Sequence, residues 1–316
     1  MKRQIAIMFI FGALLLAIPG ITLLYKNNAQ PTSSAAGGSV KILFTESQKI
    51  SEISMQEYMV GAVLAQMPAD FDDEALKAQA VLAHTYIVRR KMSEKESPDK
   101  NLKGADISDD TAIYQSYFTP EQAKEFYGEQ YDDAFKNVSE AVKSVQNEVL
   151  TYDSQPIIVA FHAVSCGKTE SAKNMWGEDI PYLVSVDSNF DKQVEGFEKT
   201  TELSADELAD KLKAVFEDAD FSGMSDEFEI TKHTDNGTIL SINAGGNELS
   251  GTDFATALSL PSPCFSFTEN DGIYTFTSKG VGHLVGMSQY GANAMAQKGS
   301  DYKQILQHYF PKTKLT

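Results

Sequence analysis

Lys2 and Arg3 precede an uncharged, mostly apolar stretch from Ile5 to Leu24, and this stretch constrains everything after it. About 20 apolar residues cross a bilayer as a helix. Positive charge ahead of the span holds the N-terminus in the cytoplasm, so the bulk of the chain is expected to fold on the outer side. Residues 1–26 are read as a cytoplasmic stub and a single-pass membrane anchor. The alternative is a cleaved signal peptide. Pro19 and Gly20 weaken the helix and favour cleavage. The length of the stretch, and the lack of a small-x-small site before Tyr25, favour the anchor.

Asn27 to Ser39 is small and polar, the composition of a flexible linker. The remainder, 40–316, is expected to form one extracytoplasmic domain, with 191–278 as a candidate subdomain. Its balance of 42% hydrophobic and 22% charged residues suits a globular core. The net charge of -17 argues against nucleic-acid partners. Two cysteines, Cys166 and Cys264, allow one disulfide and no disulfide framework. The five histidines (His84, His162, His233, His283 and His308) form no His-x3-His pair, so neither a metal site nor a cofactor is expected.

Val40 to Thr45 reads as a strand. Ser54 and Glu57 have the spacing of a capping box, and a helix follows that Pro68 ends. A second helix is capped by Asp72 or Asp73. Leu76, Ala80, Ala83 and Ile87 form its apolar stripe, while Lys77, Val81 and His84 share another face near Glu74. Met92 to Lys103 reads as a charged loop and Asp132 to Glu148 as an amphipathic helix. Val149 to Tyr152 and Ile157 to Phe161 are expected to form a hairpin about Asp153–Pro156 that delivers His162 and Cys166 to a loop. A helix from Ser204 to about Glu217, strands near 228–231 and 238–243, and a hairpin turning at Asn270-Asp271-Gly272 follow. Gly291 to Lys298 reads as a last helix. Strands and helices mix without regular alternation, which predicts an α+β fold of helices and antiparallel strands around a cleft.

Three segments carry a family resemblance. The first runs from Met67-Pro68 through Glu74-Ala75-Leu76-Lys77-Ala78-Gln79-Ala80-Val81 to His84-Thr85-Tyr86 and is similar to "EMP…EALKAQAVAARTYA". The second, Phe161-His162-Ala163-Val164-Ser165-Cys166-Gly167-Lys168-Thr169-Glu170 with Trp176-Gly177 and Pro181-Tyr182-Leu183, is similar to "FHSSCGGKTE…W…PYL". The third, Gly282-His283-Leu284-Val285-Gly286-Met287-Ser288-Gln289-Tyr290-Gly291-Ala292, is similar to "GHGVGMSQYGA". The chain thus resembles the stage II sporulation protein D family.

The resemblance implies a lytic transglycosylase that cuts peptide-stripped glycan strands of peptidoglycan during endospore engulfment. It also implies work at the membrane with a peptidoglycan amidase and a membrane protein. Such an enzyme can use a single carboxyl group. The acid protonates the glycosidic oxygen, and the resulting carboxylate then deprotonates the sugar's C6 hydroxyl to close a 1,6-anhydro ring. An ordinary glycosidase needs two carboxyl groups.

The sequence departs from the family at the decisive point. The resemblance assigns the acid to the glutamate of "EMP", and here Gln66 holds that position. His84 replaces the arginine of "AART". Glu74 is retained and is the remaining candidate acid, with helix capping as the structural alternative. A catalytically inactive, glycan-binding scaffold is therefore the rival to an enzyme.

Candidate substrate-binding residues are Lys77, His84, His162, Ser165, Thr169, Glu170, Tyr182, His283, Ser288 and Gln289. Each has a structural counterpart, such as a solvated lysine, turn chemistry, or a tight crossing at the glycines. Trp176, the one tryptophan, suits the core or a sugar-stacking role. Some family members carry zinc near the segment aligned with Asp106 to Gln115. That segment here has no histidine or cysteine. Cys166 and His162 are a remote candidate pair for thiol chemistry.

Overall fold

The computed structural model describes residues 38–221 and 227–316. The expected membrane anchor lies outside them, as does the linker up to residue 37. No helix among the described residues is long and apolar enough to cross a membrane. The described chain forms two compact units. One holds residues 38–160 with Ala292–Thr316, and the other is Phe161–Gly291.

The first unit opens with β1 (Ser39–Phe44), so the last residue of the expected linker already belongs to a strand. β1 pairs antiparallel with β2 (Lys49–Ser54), Ser39 opposite Ser54. Ser54 then caps α1 (Met55–Gln66), accepting from the Glu57 N–H at 3.1 Å. Met67 turns to extended backbone ahead of Pro68 and ends the helix.

Asp72 caps α2 (Asp73–Glu96), a 24-residue helix. The expected apolar stripe is buried, but so is the face carrying Val81 and His84. From Ala75 to Ile87 only Lys77 stays part-exposed, because α2 is packed on several sides. The loop expected from Met92 is helical as far as Glu96. Arg90 and Glu94 pair at 2.7 Å one turn apart, and Glu94 Oε2 accepts the Asp99 N–H at 2.9 Å, which carries order past the charged residues.

β3 (Ile107–Ser108) adds to β1 in parallel. α3 (Pro120–Tyr127) and the amphipathic α4 (Tyr131–Val145) follow. β4 (Leu150–Tyr152) and β5 (Gln155–Pro156) form a shorter hairpin than expected. It turns on Asp153 and Ser154, both at positive φ. The Ile157 N–H still donates to the Leu150 carbonyl at 3.0 Å, but the Leu150 N–H turns to Thr85 Oγ1 at 2.9 Å, and the ladder ends there.

The second unit starts at β6 (Phe161–His162) and α5 (Ala172–Trp176). β7 (Glu198–Ser204) leads into α6 (Ala205–Val215), where Ser204 and Glu207 form the expected capping box. β8 (Phe228–His233), β9 (Ile239–Ala244) and β10 (Asn247–Ser250) form an antiparallel meander, followed by α7 (Gly251–Ala257). β11 (Phe265–Asn270) and β12 (Ile273–Lys279) form the expected hairpin, and β12 also pairs with β7. Leu208, Leu212, Phe254, Phe265 and Phe276 fill the core between these sheets and helices. Each such side chain contributes about 1.5–3 kcal/mol by leaving water.

β13 (Met287–Ser288) pairs in parallel with β6, Ser288 opposite His162. Phe161 and His162 therefore belong to a separate pairing from the β4–β5 hairpin. α8 (Gln289–Gln297) carries the chain from the second unit back to the first. There α9 (Tyr302–Tyr309) contacts α2, and β14 (Lys314–Leu315) pairs with β4. The fold is mixed α+β with mainly antiparallel sheets.

Candidate functional site

In the first unit, Gln66 sits in the last turn of α1 at 4% exposure. Its Nε2 donates to the Ser116 carbonyl at 3.0 Å. Its Oε1 accepts from Gln79 Nε2 and from Gln115 Nε2, both at 3.1 Å. Both lone pairs of that oxygen are therefore in use. Gln115 Oε1 accepts from the Tyr58 hydroxyl at 3.0 Å, and the Gln115 N–H donates to Tyr86 Oη at 3.1 Å. Burial, ahead of neighbouring charges, raises the Tyr58 phenol well above its usual range and pushes Tyr86 up to about 12. The result is a buried network of neutral amides and phenols.

Gln79, Gln115, Tyr58 and Tyr86 were not singled out from the sequence. A glutamine inside the apolar run Ala75–Ala83 was the available signal.

Glu74 lies in the first turn of α2. Oε1 pairs with Lys77 Nζ at 2.7 Å, and Oε2 accepts the Tyr302 N–H at 2.8 Å. Lys77 also pairs with Asp73 at 2.6 Å. Burial pulls the Lys77 ammonium down, but hydrogen bonds to Asp73 and Glu74 outweigh it and hold the group above its ordinary value. Glu74 thus ties the N-termini of α2 and α9 together, where two helix dipoles favour a carboxylate. Its side chain is 28% exposed.

His84 is fully buried beneath this region, with Nδ1 2.9 Å from the Glu148 carbonyl oxygen. Burial lowers its basicity.

An open pocket of about 340 Å³ lies on the α1, α3 and α4 side of the same unit. Tyr117, Phe118, Tyr131 and Phe135 supply aromatic walls, and Glu57 and Ser139 supply polar groups. Phe135 is 42% exposed. None of the sequence candidates lines it.

In the second unit, eight candidates are buried: His162, Ser165, Thr169, Glu170, Tyr182, His283, Ser288 and Gln289. The glycine-rich segment explains why. Gly282 has φ +107, and a Cβ there would lie 2.8 Å from His162 Cβ. Only glycine permits so close a crossing without displacement. His162 Nδ1 donates to the Val285 carbonyl at 3.1 Å, and His283 Nδ1 accepts the Val285 N–H at 3.1 Å. The two rings are 5.8 Å apart, and Trp176 is 5.8 Å from His283. Burial is the main cause that lowers His162 to about 3 and His283 to about 4. Both imidazoles are therefore neutral at pH 7.

Ser165, Ser288 and Asp191 form one buried set. Asp191 accepts from the Ser165 N–H at 2.9 Å and the Ser288 hydroxyl at 2.9 Å. Burial raises the Asp191 carboxyl against these hydrogen bonds. The sequence reading missed Asp191, which stands in a one-turn 3-10 helix with no motif around it.

Glu170 accepts from Thr234 Oγ1 at 2.7 Å, Asn236 Nδ2 at 3.2 Å and Asn174 Nδ2 at 3.3 Å. Thr169 Oγ1 accepts the Val186 N–H at 2.9 Å. Cys166 Sγ has Lys168, Asn236 and Thr238 as hydrogen-bond partners, and His162 Nε2 has none among the described residues. That arrangement gives no thiol–imidazole couple.

Residues 44–152 match the family model described as Stage II sporulation protein. Stage II sporulation protein D of Bacillus amyloliquefaciens is 36% identical over 289 residues, covering 92% of this chain and 82% of the relative. Its namesake in Bacillus subtilis is 37% identical over 287 residues, covering 90% and 81%. The chain belongs to the stage II sporulation protein D family.

A more distant B. subtilis relative, named amidase enhancer, is 26% identical over 309 residues, covering 81% of this chain and 40% of that protein. As a member of the stage II sporulation protein D family, the chain keeps both halves of the pattern and folds them into separate units. The stretch with Gln66, Glu74 and Lys77 is in the first, and the His162-to-Glu170 and Gly282-to-Gln289 stretches are in the second.

Proposed function

We propose that this chain is a sporulation protein that binds peptide-stripped glycan strands of peptidoglycan and scaffolds a wall-remodelling complex at the membrane. In this reading the bulk of the chain is extracytoplasmic, behind a single-pass anchor. Its partners are a peptidoglycan amidase and a membrane protein of the engulfment machinery. The relative named amidase enhancer supports an amidase partner.

The observation that carries the proposal is Gln66. The resemblance puts the family's acid at this position, and an amide has no proton to give a glycosidic oxygen. The surrounding network fits a neutral group, with one oxygen accepting from Gln79 and Gln115 and the second heavy atom donating to Ser116. A protonated glutamic acid could make the same set of bonds. The aromatic pocket beside α1 is the proposed glycan contact, since sugar rings stack on aromatic faces and use polar groups at the rim.

The second reading is a lytic transglycosylase with Glu74 as its acid. It is favoured by the partial exposure of that carboxyl.

The test uses the full chain in detergent with glycan strands stripped of peptides. Scaffolding predicts co-sedimentation, no 1,6-anhydro ends by mass spectrometry, and anhydro ends from Gln66→Glu. Phe135→Ala should weaken co-sedimentation about 3–10-fold, the worth of one aromatic contact. Anhydro ends from the unaltered chain that vanish in Glu74→Gln would establish the transglycosylase instead.

A further inference from the structure

We infer that Cys166 and Cys264 close an intramolecular disulfide in the working protein, resting on the proposal that this unit lies outside the cytoplasm. The two cysteines are the only ones in the chain. They come from distant stretches, the loop after β6 and the residue before β11.

The fold brings them together. Both are buried free thiols in this structure, and with Leu284 they make one small buried cluster. Each sulfur is 3.9 Å from the Asn236 carbonyl oxygen. The backbone holds both segments in place independently of the sulfurs. Val164 bridges Val281, while the Lys279 N–H donates to the Cys264 carbonyl at 2.8 Å. Closing the bond therefore calls on the two side chains alone, within a frame that the backbone already holds.

Other uses of the pair fit less well. No group of three or more His, Cys, Asp or Glu side chains among the described residues could hold a metal ion. Thiol hydrolysis lacks its couple, because His162 Nε2, the nitrogen that would act as base, makes no hydrogen bond to Cys166.

The chemistry balances by exchange with the disulfide of an oxidised thioredoxin-fold protein. Cys166 is the more exposed of the two and is the attacking thiolate. It forms a mixed disulfide and releases one oxidant sulfur as a thiolate, which takes up the Cys166 proton. Cys264 then loses its proton and attacks the Cys166 sulfur. The second oxidant sulfur leaves and takes that proton. Two electrons and two protons pass to the oxidant, which ends as a dithiol. Burial of the finished pair then shields it from reductants.

The test starts from full chain unfolded and refolded in detergent, in oxidised glutathione or in dithiothreitol, so that burial cannot block access. Free thiols are alkylated and the protein is digested for mass spectrometry. A Cys166–Cys264 linked peptide is expected only from the oxidised sample, with Tm higher by about 5 °C or more. Cys166→Ser and Cys264→Ser should both lose that redox-dependent shift. Two alkylated cysteines and one common Tm in both buffers would overturn the pairing.

The same alkylation on sporulating cells separates the pairing from the location. A pair that closes in vitro but is reduced in cells would count against an extracytoplasmic unit and leave the geometry standing.

Discussion

Gln79 Nε2 donates to Gln66 Oε1 at 3.1 Å, joining the last turn of α1 to the second turn of α2. Gln115 donates to the same oxygen, so one amide organises three segments. Gln66→Ala would leave the Gln79 and Gln115 amides and the Ser116 carbonyl short of a partner in a buried site. The expected loss is about 2–3 kcal/mol, measured as a lower urea midpoint at unchanged slope. A variant as stable as the parent would mean that water or a local shift replaces the network.

Gln66→Glu isolates the proton. The new carboxyl would be buried beside the Ser116 carbonyl oxygen. Burial should raise it above the usual carboxylate range. A raised acid contributes stability below its unfolded value, and that contribution is lost as pH rises through the folded value. The variant should therefore match the parent near pH 4 and fall behind it at pH 7. Equal stability at both pH values would show that the carboxyl is solvated.

His162 supplies an opposite pH dependence. Its folded value of about 3 lies below the ordinary histidine value of 6.5. The unfolded chain binds the proton more readily in between, so stability is full above about pH 6.5 and declines as pH falls toward 3. His162→Asn keeps a donor for the Val285 carbonyl and removes the titration. The parent should lose about 2 kcal/mol more than this variant between pH 7 and pH 4.5. Parallel curves would place His162 in contact with water.

Glu74→Ala removes the acceptor of the Tyr302 N–H and one of the two carboxylates on Lys77. The pair is part-exposed, so screening limits the cost to about 1 kcal/mol. Amide exchange should accelerate in α9 and the first turn of α2, with little change elsewhere. Uniform acceleration would assign Glu74 a global structural role.

Local elements were legible in the sequence wherever local chemistry specifies them. Ser54, Asp72 and Ser204 cap the expected helices because each side-chain oxygen meets an N–H two or three residues on. The β11–β12 hairpin follows from its Asn-Asp-Gly turn. The charged stretch from Met92 misled, because a helix can run through charged residues when Arg90 and Glu94 pair along it. The family was legible too, since its three motifs are contiguous strings.

The tertiary structure alone decided what those residues do. Sequence periodicity assigned Gln79 and Tyr86 to neither marked face of α2. Burial on several sides turns them instead toward Gln115 and Gln66, residues that no local rule connects to them. Glu74 gains a meaning only from Tyr302 and Lys77, the first of them far along the chain. Asp191 has no motif and still gathers Ser165 and Ser288. The sequence determined which groups exist and which helices and turns begin where. Their partners depend on contacts between distant segments, because burial gives a polar group only the neighbours that the packed chain brings to it.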